Sequence, residues 1–567
     1  MAQGKINGNP GAHWAGAWTA TGHLNFGKLT TYLMRDEQRP LCTTQKVVMS
    51  AFVSKLCTVW TLVASQVRSK LMIPERDSSD FPFVASDIAQ LHRLRRDPSA
   101  ASIDDATWKD LLLEPYCAAL SHEVSIFGQQ ALYRRLRGGM GQARPDRIRA
   151  LMEEPQREQE LRCQMAPLRR AEQEIATLLY QDALPAKPVW ARFTWLLPLA
   201  LIASLVGVML STLAWAALLA VLCVLFGVQM RYGTRVEQWQ RSMNSLLALL
   251  RVAASLDGQD AAATAGLNRA LRRSVLIGAI PEMRSYQDWF ALGNVNYYFD
   301  SSQLVGANLA LLRDCFEYVA DLEADIALAR HLRQASVFCW AVRSESGTIT
   351  MEDTVHPLLP DAQPLALNLQ GRGAFISGQN GIGKSTLLRT LGLNLIAARA
   401  FGFCYAKSAA VPFTPVYASM QSEDSLFGGE SLYMAELRRA TELLAAAAGP
   451  HPGVYIIDEI FRGTNHLESV SAAASVLDVL AAKGVVVVSS HNLVLASLLA
   501  HRLDPLCVAA DAAGVLTLSP GVLAHTNGIA LLSQRGFGGD VEANAAKVFD
   551  WLSTYLAHPA DCSAVLA

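Results

Sequence analysis

The sequence predicts a mostly α-helical part, interrupted by an apolar helical hairpin, followed by a C-terminal α/β domain built on a mainly parallel sheet. Three observations lead there. Apolar residues recur at helical spacing over residues 46–69, 108–136, 147–180, 236–256 and 308–334. Residues 193–228, FTWLLPLALIASLVGVMLSTLAWAALLAVLCVLFGV, contain no charged side chain. After His356 the character changes: short apolar stretches at 374–377, 454–457 and 485–488 alternate with helical segments.

At 567 residues the chain has room for several folding units. We read residues 1–27, rich in Gly, Asn and Ala, as a loose tail. Residues 28–346 form the helical part, interrupted at 193–230, and residues 347–567 form the α/β domain. A net charge of -1 leaves no global field to attract nucleic acid or acidic lipid, so such binding must rest on local patches. Candidates are Arg134, Arg135, Arg137, Arg144, Arg147 and Arg149 around a loop punctuated by Gly138, Gly139 and Gly141. Smaller clusters are Arg93, Arg95, Arg96 and Arg269, Arg272, Arg273. Such runs read as solvated faces, as headgroup contacts or as DNA-phosphate contacts. Ten cysteines without a C-x-x-C pair indicate reduced thiols, mostly in the core, and the first forty residues hold no secretory signal.

The uncharged run is too long for one membrane crossing, which needs about 20 residues for a core about 30 Å thick. It is slightly short for two. Ser211 and Thr212 offer a polar break, giving two spans, 193–210 and 213–230, of about 26 Å each. Lys187 and Arg192 precede the run, and Arg231 and Arg235 follow it. A hairpin therefore leaves both basic flanks, and both soluble parts, on the cytoplasmic side of the cytoplasmic membrane. The alternative is a buried hairpin in a large helical domain, although no polar stripe is visible.

The chemistry lies in the last third. Gly378-Gln-Asn-Gly-Ile-Gly-Lys-Ser-Thr386 fits G-x-x-x-x-G-K-[ST] between a predicted strand and a predicted helix, the context a P-loop requires. Gly378, Gly381 and Gly383 let backbone N–H groups close around phosphate oxygens. Lys384 neutralises phosphate charge, Ser385 is a magnesium ligand, and Asn380 and Thr386 complete the loop. Downstream, Val454-Tyr-Ile-Ile-Asp458-Glu459 is an apolar strand ending in two carboxylates. The first can hold magnesium and the second can orient a water. A third strand runs into Ser490-His491, which places an imidazole where it could sense a γ-phosphate.

Together these segments resemble the MutS family of mismatch-repair ATPases and their paralogues. The resemblance rests on Gly378 to Thr386 with Asn380, on Ser431-Leu-Tyr433-Met434-Ala-Glu436, on Asp458-Glu-Ile-Phe-Arg462-Gly463-Thr464-Asn465, and on Ser490-His491. His356-Pro357, Ser519-Pro520-Gly521 and Asn527-Gly528-Ile529 extend it over about 355–556. The wider ABC class is the competitor, with Gly428-Gly429-Glu430 as its nearest signature. Its members normally follow the Asp-Glu pair with proline, which is Ile460 here. More weakly, Ser125-Ile-Phe-Gly128 with 131–136, and Ala320-Asp-Leu-Glu-Ala-Asp325 with 326–329, resemble the family's helical core.

The resemblance implies a P-loop NTPase of ABC/MutS type that uses ATP and Mg2+, with Lys384, Glu459 and His491 catalytic and Asp458 and Ser385 on the metal. Ser431 is implied to reach the γ-phosphate of the opposite subunit, so each site is completed in a homodimer. A DNA partner is implied as well, while the hairpin adds membrane lipid through 193–230. The sequence departs from the family in the hairpin, in lacking a Phe-x-Glu reading motif in the right setting, and in offering no evident nuclease segment. Two function classes follow: an ATPase coupled to DNA binding at the membrane, and a membrane-tethered mechanical or signalling ATPase without nucleic acid.

Overall fold

The computed structural model describes residues 83–96, 101–138, 145–181, 184–256, 261–273, 281–344, 347–420, 432–450, 453–511, 515–524, 527–528, 531 and 539–556. These lie in one compact unit spanning 82–567. The expected tail, the helix at 46–69, Gly139, Gly141, Arg144, Gly428 to Ser431 and Ile529 fall outside the described residues.

The helical part is more broken than its periodicity predicts. The run 108–136 is three helices, Asp105–Asp110, Leu113–Leu120 and α1 (Ile126–Gly138), because Leu112 and Glu123 take left-handed backbone conformations between them. The run 147–180 divides into α2 (Pro145–Glu153), Pro155–Met165, a 3-10 turn at Ala166–Arg170 and Ala176–Tyr180. Pro155 and Pro167 each open a new element, where a missing N–H costs nothing. The apolar run forms α3 (Leu196–Leu210) and α4 (Ala214–Ser255), packed against each other. Their break falls at Ser211, whose extended backbone ends α3. The expected helix at 236–256 is therefore no separate element but the far end of the 42-residue α4. After α5 (Pro281–Phe290) and α6 (Gly293–Ala307), α7 (Leu309–Gln334) leads to the first strand, at Cys339.

The acidic residues of α7 and the arginines of α1 meet inside the helical part. Arg135, with no side-chain exposure, donates to the equally buried Asp325 at 2.5 Å and to Asp321 at 2.8 Å, and Arg147 adds a second cation on Asp325. Arg137 is buried between Asp105, at 2.8 Å, and the ring of Trp108. Arg149 stacks on Trp340. The basic stretch is thus corrected from a solvated face or phosphate-binding patch to an internal ion-pair framework for Arg135, Arg137 and Arg147. Between Asp321 and Asp325, Glu323 accepts from the backbone N–H of Ser125 and Gly128, at 2.9 and 3.1 Å, and from the Ser125 hydroxyl. Burial raises the Glu323 carboxyl while those donors pull it down, and the net direction is upward.

Twelve described strands follow in chain order: β1 (Cys339–Trp340), β2 (Val342–Arg343), β3 (Ile349–Thr354), β4 (Leu365–Leu369), β5 (Gly373–Gly378), β6 (Phe403–Cys404), β7 (Ser408–Val411), β8 (Val416–Ser419), β9 (Val454–Asp458), β10 (Val485–Ser489), β11 (Leu503–Ala510) and β12 (Leu516–Pro520). The main sheet has the order β12-β11-β5-β10-β9-β8, parallel except for β12. Helices α8 (Lys384–Phe401), α9 (Leu432–Ala447) and α10 (His466–Ala481) cover it. Alternation along the strands feeds two cores: Ile376, Ile456 and Val487 pack with Leu388 and Leu391 of α8, whereas Phe375, Ile457 and Val488 pack with Leu443 of α9 and Leu477 of α10. Burial on both faces explains why β5, β9 and β10 read as continuous apolar runs.

The two parts are joined through side chains. The backbone N–H of Ala418, at the sheet edge β8, donates to Thr107 Oγ1 at 2.9 Å, and that of Met420 donates to Asp110 Oδ2 at 2.8 Å. The helical part therefore satisfies an edge that would otherwise invite another strand. Tyr405 OH bonds both Tyr116 OH, at 2.8 Å, and His331 Nε2 of α7, at 2.9 Å. All seven described cysteines are free thiols, with Cys117, Cys315 and Cys404 buried but Cys163 and Cys223 exposed, so core placement holds for fewer than expected.

Candidate active site

Strand register brings the candidate residues to one edge of the sheet. Gly378 ends β5 opposite Val508, and Asp458 ends β9 opposite Ser489 of the adjacent β10. In an open parallel sheet this carboxyl edge is where ligands gather. Beyond β5 the chain turns through exposed Asn380 and Gly381 to Gly383, whose φ of 102° suits glycine alone, and enters the 18-residue α8 at Lys384. Ser385 is half-buried and Thr386 exposed on the first turn.

Lys384 is buried, and its Nζ donates to the carbonyls of Gly378 and Gln379 at 3.0 and 3.1 Å. Burial lowers its pKa, while Glu459 and Asp458 act in the opposite direction. The ammonium is therefore held at the mouth of the loop within the field of both carboxylates. On the other side, the Asn527 side chain clasps the loop: its Oδ1 accepts from the Asn380 N–H at 3.0 Å and its Nδ2 donates to the Asn380 carbonyl at 3.4 Å. The sequence motif that includes Asn527 gave no sign of this contact, because it depends on where the segment after β12 returns.

Asp458 accepts from the buried Ser489 hydroxyl, which fixes its carboxylate at the strand end. In the sequence Ser489 is the first of two serines closing the run Val-Val-Val-Val, and nothing local marks it as the one that meets Asp458. Glu459 takes φ 62°, a left-handed conformation uncommon for its type. Its N–H donates to the Ser489 carbonyl at 3.0 Å, and its Oε1 accepts from the His491 N–H at 2.9 Å. The half-exposed His491 ring brings Nε2 to 3.5 Å from the same oxygen. Burial raises the Glu459 pKa, and His491 opposes the rise. The strained turn thus aims a carboxylate inward and couples it to an imidazole.

The loop after Glu459 is locked to α9. Gly463 lies so close that a Cβ there would stand 2.7 Å from the Tyr433 nitrogen. Its N–H donates to Glu436 Oε2 at 3.3 Å, Arg462 lies 3.7 Å from Glu436, and Tyr433 meets Phe461 edge-on. Asn465 then caps α10, accepting from the Glu468 N–H at 3.0 Å. The structure thus assembles Tyr433, Glu436, Arg462 and Gly463 into one corner.

These donors fit a nucleotide and a hard cation. A glycine turn leading into a long helix suits phosphate, with Lys384 as counter-charge. Ser385 and Asp458 could hold Mg2+, which usually takes one or two carboxylates together with substrate phosphates. Among the described residues no group of three or more His, Cys, Asp or Glu side chains could hold a metal by itself, so the cation would depend on the phosphates.

Residues 374–532 match MutS domain V. Over that segment the chain is similar to the MutS family. It is 28% identical over 245 residues to a DNA mismatch repair protein MutS of Thermus aquaticus, covering 41% of this chain and 30% of that protein. It is 36% identical over 133 residues to an endonuclease MutS2 of Thermus thermophilus, covering 23% of this chain and 18% of the relative. A DNA mismatch repair protein msh3 of Botryotinia fuckeliana is 31% identical over 185 residues, covering 31% and 16%. The chain thus spans less than a third of the length of these relatives. MutS family proteins are ATPases that use ATP with Mg2+, act as dimers and bind DNA. The expected helical part followed by mixed sheets agrees with that architecture.

Proposed function

We propose that this chain is a membrane-anchored MutS-like ATPase that binds and hydrolyses ATP with Mg2+ at composite sites shared by two subunits. The arrangement that carries this reading is Glu459, a buried carboxylate held by His491 beside Asp458 and within the field of Lys384. Bound Mg2+ would supply charge neutralisation at the phosphates. Lys384 would leave its loop carbonyls for phosphate oxygens, Asp458 and Ser385 would hold the cation, and Glu459 would orient water and draw its proton. His491 would register the phosphate through Glu459. Ser431 would complete the site of the opposite subunit.

Coupling would run through the helical part, since α7 touches Tyr405 through His331 and also packs against α4. Among the described residues α4 is long and apolar enough to cross a membrane, whereas α3 is apolar but only 15 residues long. Only 11% of the most apolar window of α4 is buried, which favours lipid over a soluble core as its surroundings. A two-span hairpin in the cytoplasmic membrane, with both soluble parts in the cytoplasm, accommodates the short α3 by local thinning.

Similarity to DNA mismatch repair proteins supports DNA as a ligand of this chain. One observation favours the second reading, a mechanical or signalling ATPase without nucleic acid: Arg135, Arg137 and Arg147 are committed to Asp325, Asp321 and Asp105. ATPase turnover of the reconstituted chain, with and without duplex DNA over a salt series, separates the two. DNA coupling requires stimulation and binding that fall steeply as salt rises. Turnover indifferent to DNA leaves the mechanical reading, and absence of turnover under every condition removes the ATPase assignment.

A further inference from the structure

The last turn of helix α5 (Pro281–Phe290), residues 286–290, exposes aromatic side chains. Tyr286, Trp289 and Phe290 follow the i, i+3, i+4 spacing of one helix face, and they are 61%, 38% and 39% exposed. Tyr286 and Phe290 stack nearly parallel, with ring centroids 6.2 Å apart. The charged residue between them turns inward instead: Asp288 pairs with Arg273 at 2.5 Å, and its backbone carbonyl accepts from Gln229 Nε2 at 2.5 Å. A helix that faces water would place these groups the other way round.

The contact with Gln229 fixes the height of α5. Gln229 immediately precedes Met230, the last apolar residue before Arg231 and Arg235, so it marks the end of the uncharged run on α4. Gln229 also exchanges hydrogen bonds with Asn294, at 3.1 and 3.2 Å. Helix α5 packs against both α3 and α4. The chain entering α3 reaches the same level with Trp190, Phe193 and Trp195 exposed, and Trp190 lies against Tyr232, 5.7 Å away, and Phe299, 6.2 Å away.

We infer that α5 lies in the headgroup–acyl boundary of the bilayer beside the hairpin, burying Tyr286, Trp289 and Phe290 in lipid as a lateral anchor. The inference rests on reading 193–230 as membrane-inserted. Aromatic side chains with one polar edge concentrate at this boundary, and short amphipathic helices lie in its plane. Asp288 and Gln229 hold α5 rigidly to α4, so the anchor limits how far the hairpin can tilt relative to the helical part. The exposed aromatic face lies beside the exposed apolar surface of α3 and α4, and lipid surroundings for both account for this.

The test uses the full chain in phosphatidylcholine–phosphatidylglycerol vesicles, with reactive native cysteines replaced. A nitroxide is attached in turn at Tyr286→Cys, at Phe290→Cys, at Val221→Cys in the hairpin and at Leu467→Cys on the exposed face of α10. Collisions with oxygen and with a water-soluble nickel chelate give the depth of each label. The inference requires oxygen-to-nickel ratios at 286 and 290 severalfold above that at 467, and below that at 221. Lipid-like values at 221 with water-like values at 286 and 290 overturn it and leave the hairpin standing. Water-like values at all four positions remove the hairpin reading together with the anchor. A Tyr286→Ser/Trp289→Ser/Phe290→Ser chain provides a second check: it should stay in the membrane fraction yet show a more mobile label at Arg235→Cys. Unchanged mobility there contradicts the anchor.

Discussion

Arg135 Nη1 lies 2.5 Å from Asp325 Oδ1, and both side chains are wholly shielded from solvent. The pair ties α1 to the helix that reaches the α/β domain, and Arg147 shares the same carboxylate. Asp325→Ala removes the carboxylate that Arg135 and Arg147 share, leaving buried Arg135 with Asp321 alone, and should cost about 3–5 kcal/mol. Arg135→Met combined with Asp325→Leu should cost clearly less than either single change. Urea unfolding in detergent measures both, and a double variant as unstable as the sum of the singles would show that the pair is not the unit of stability.

Glu459→Gln and Lys384→Ala should fail in different ways. The glutamine variant keeps the phosphate-binding groups, so it should bind ATP but turn over at least about a hundredfold more slowly, within the range attributed to a positioned base. The alanine variant should lose nucleotide binding. Because burial raises the Glu459 pKa, kcat should fall with decreasing pH at a higher pH than for an ordinary carboxylate, and rise as the group ionises. A full-rate Glu459→Gln enzyme would remove this residue from the mechanism.

Subunit mixing tests the shared site. Ser431→Ala and Lys384→Ala chains are each inactive under this scheme, yet one intact site should form in each mixed dimer. Part of the turnover should return on mixing. If heterodimers form and stay silent, either the composite arrangement is wrong or both sites must fire together.

Gly463→Ala places a methyl group 2.7 Å from the Tyr433 backbone nitrogen, where no side chain can swing aside. Helix α9 must shift, carrying Glu436 away from Arg462 and Gly463. Turnover should drop severalfold or more while the helical part retains its stability, measured by steady-state kinetics alongside unfolding. Wild-type kinetics would mean that the α9 corner does not position the site.

Arginine at the centre of a membrane helix costs about 2.5–3.5 kcal/mol on insertion scales. Val206→Arg and Val221→Arg, both at exposed apolar positions or packed beside them, should release the chain to the soluble fraction or to degradation. Cysteine labelling should reach Thr212 from outside the cell, with Lys187 and Arg235 protected. Wild-type protein that washes off at alkaline pH, or flanks that label from opposite sides, would contradict the hairpin.

The sequence by itself determined the order of chemical parts: a glycine turn with Lys384, an apolar strand ending in Asp458-Glu459, and Ser490-His491 after a third strand. Each signal is local, since backbone and side-chain needs are met within a few residues. It marked the uncharged run 193–228 for the same reason. Helix breaks at Leu112, Glu123 and Pro155 were less legible, because periodicity continues across a turn that only backbone geometry interrupts. Only the tertiary structure decided which groups meet at long range: Ser489 on Asp458, Asn527 on Asn380, Glu436 on Gly463, and Arg135 on Asp325. Sequence showed those arginines as a basic run, which in isolation is most cheaply solvated. Burial reverses that preference only when a carboxylate arrives from a helix some 190 residues away, and that arrival is a property of packing.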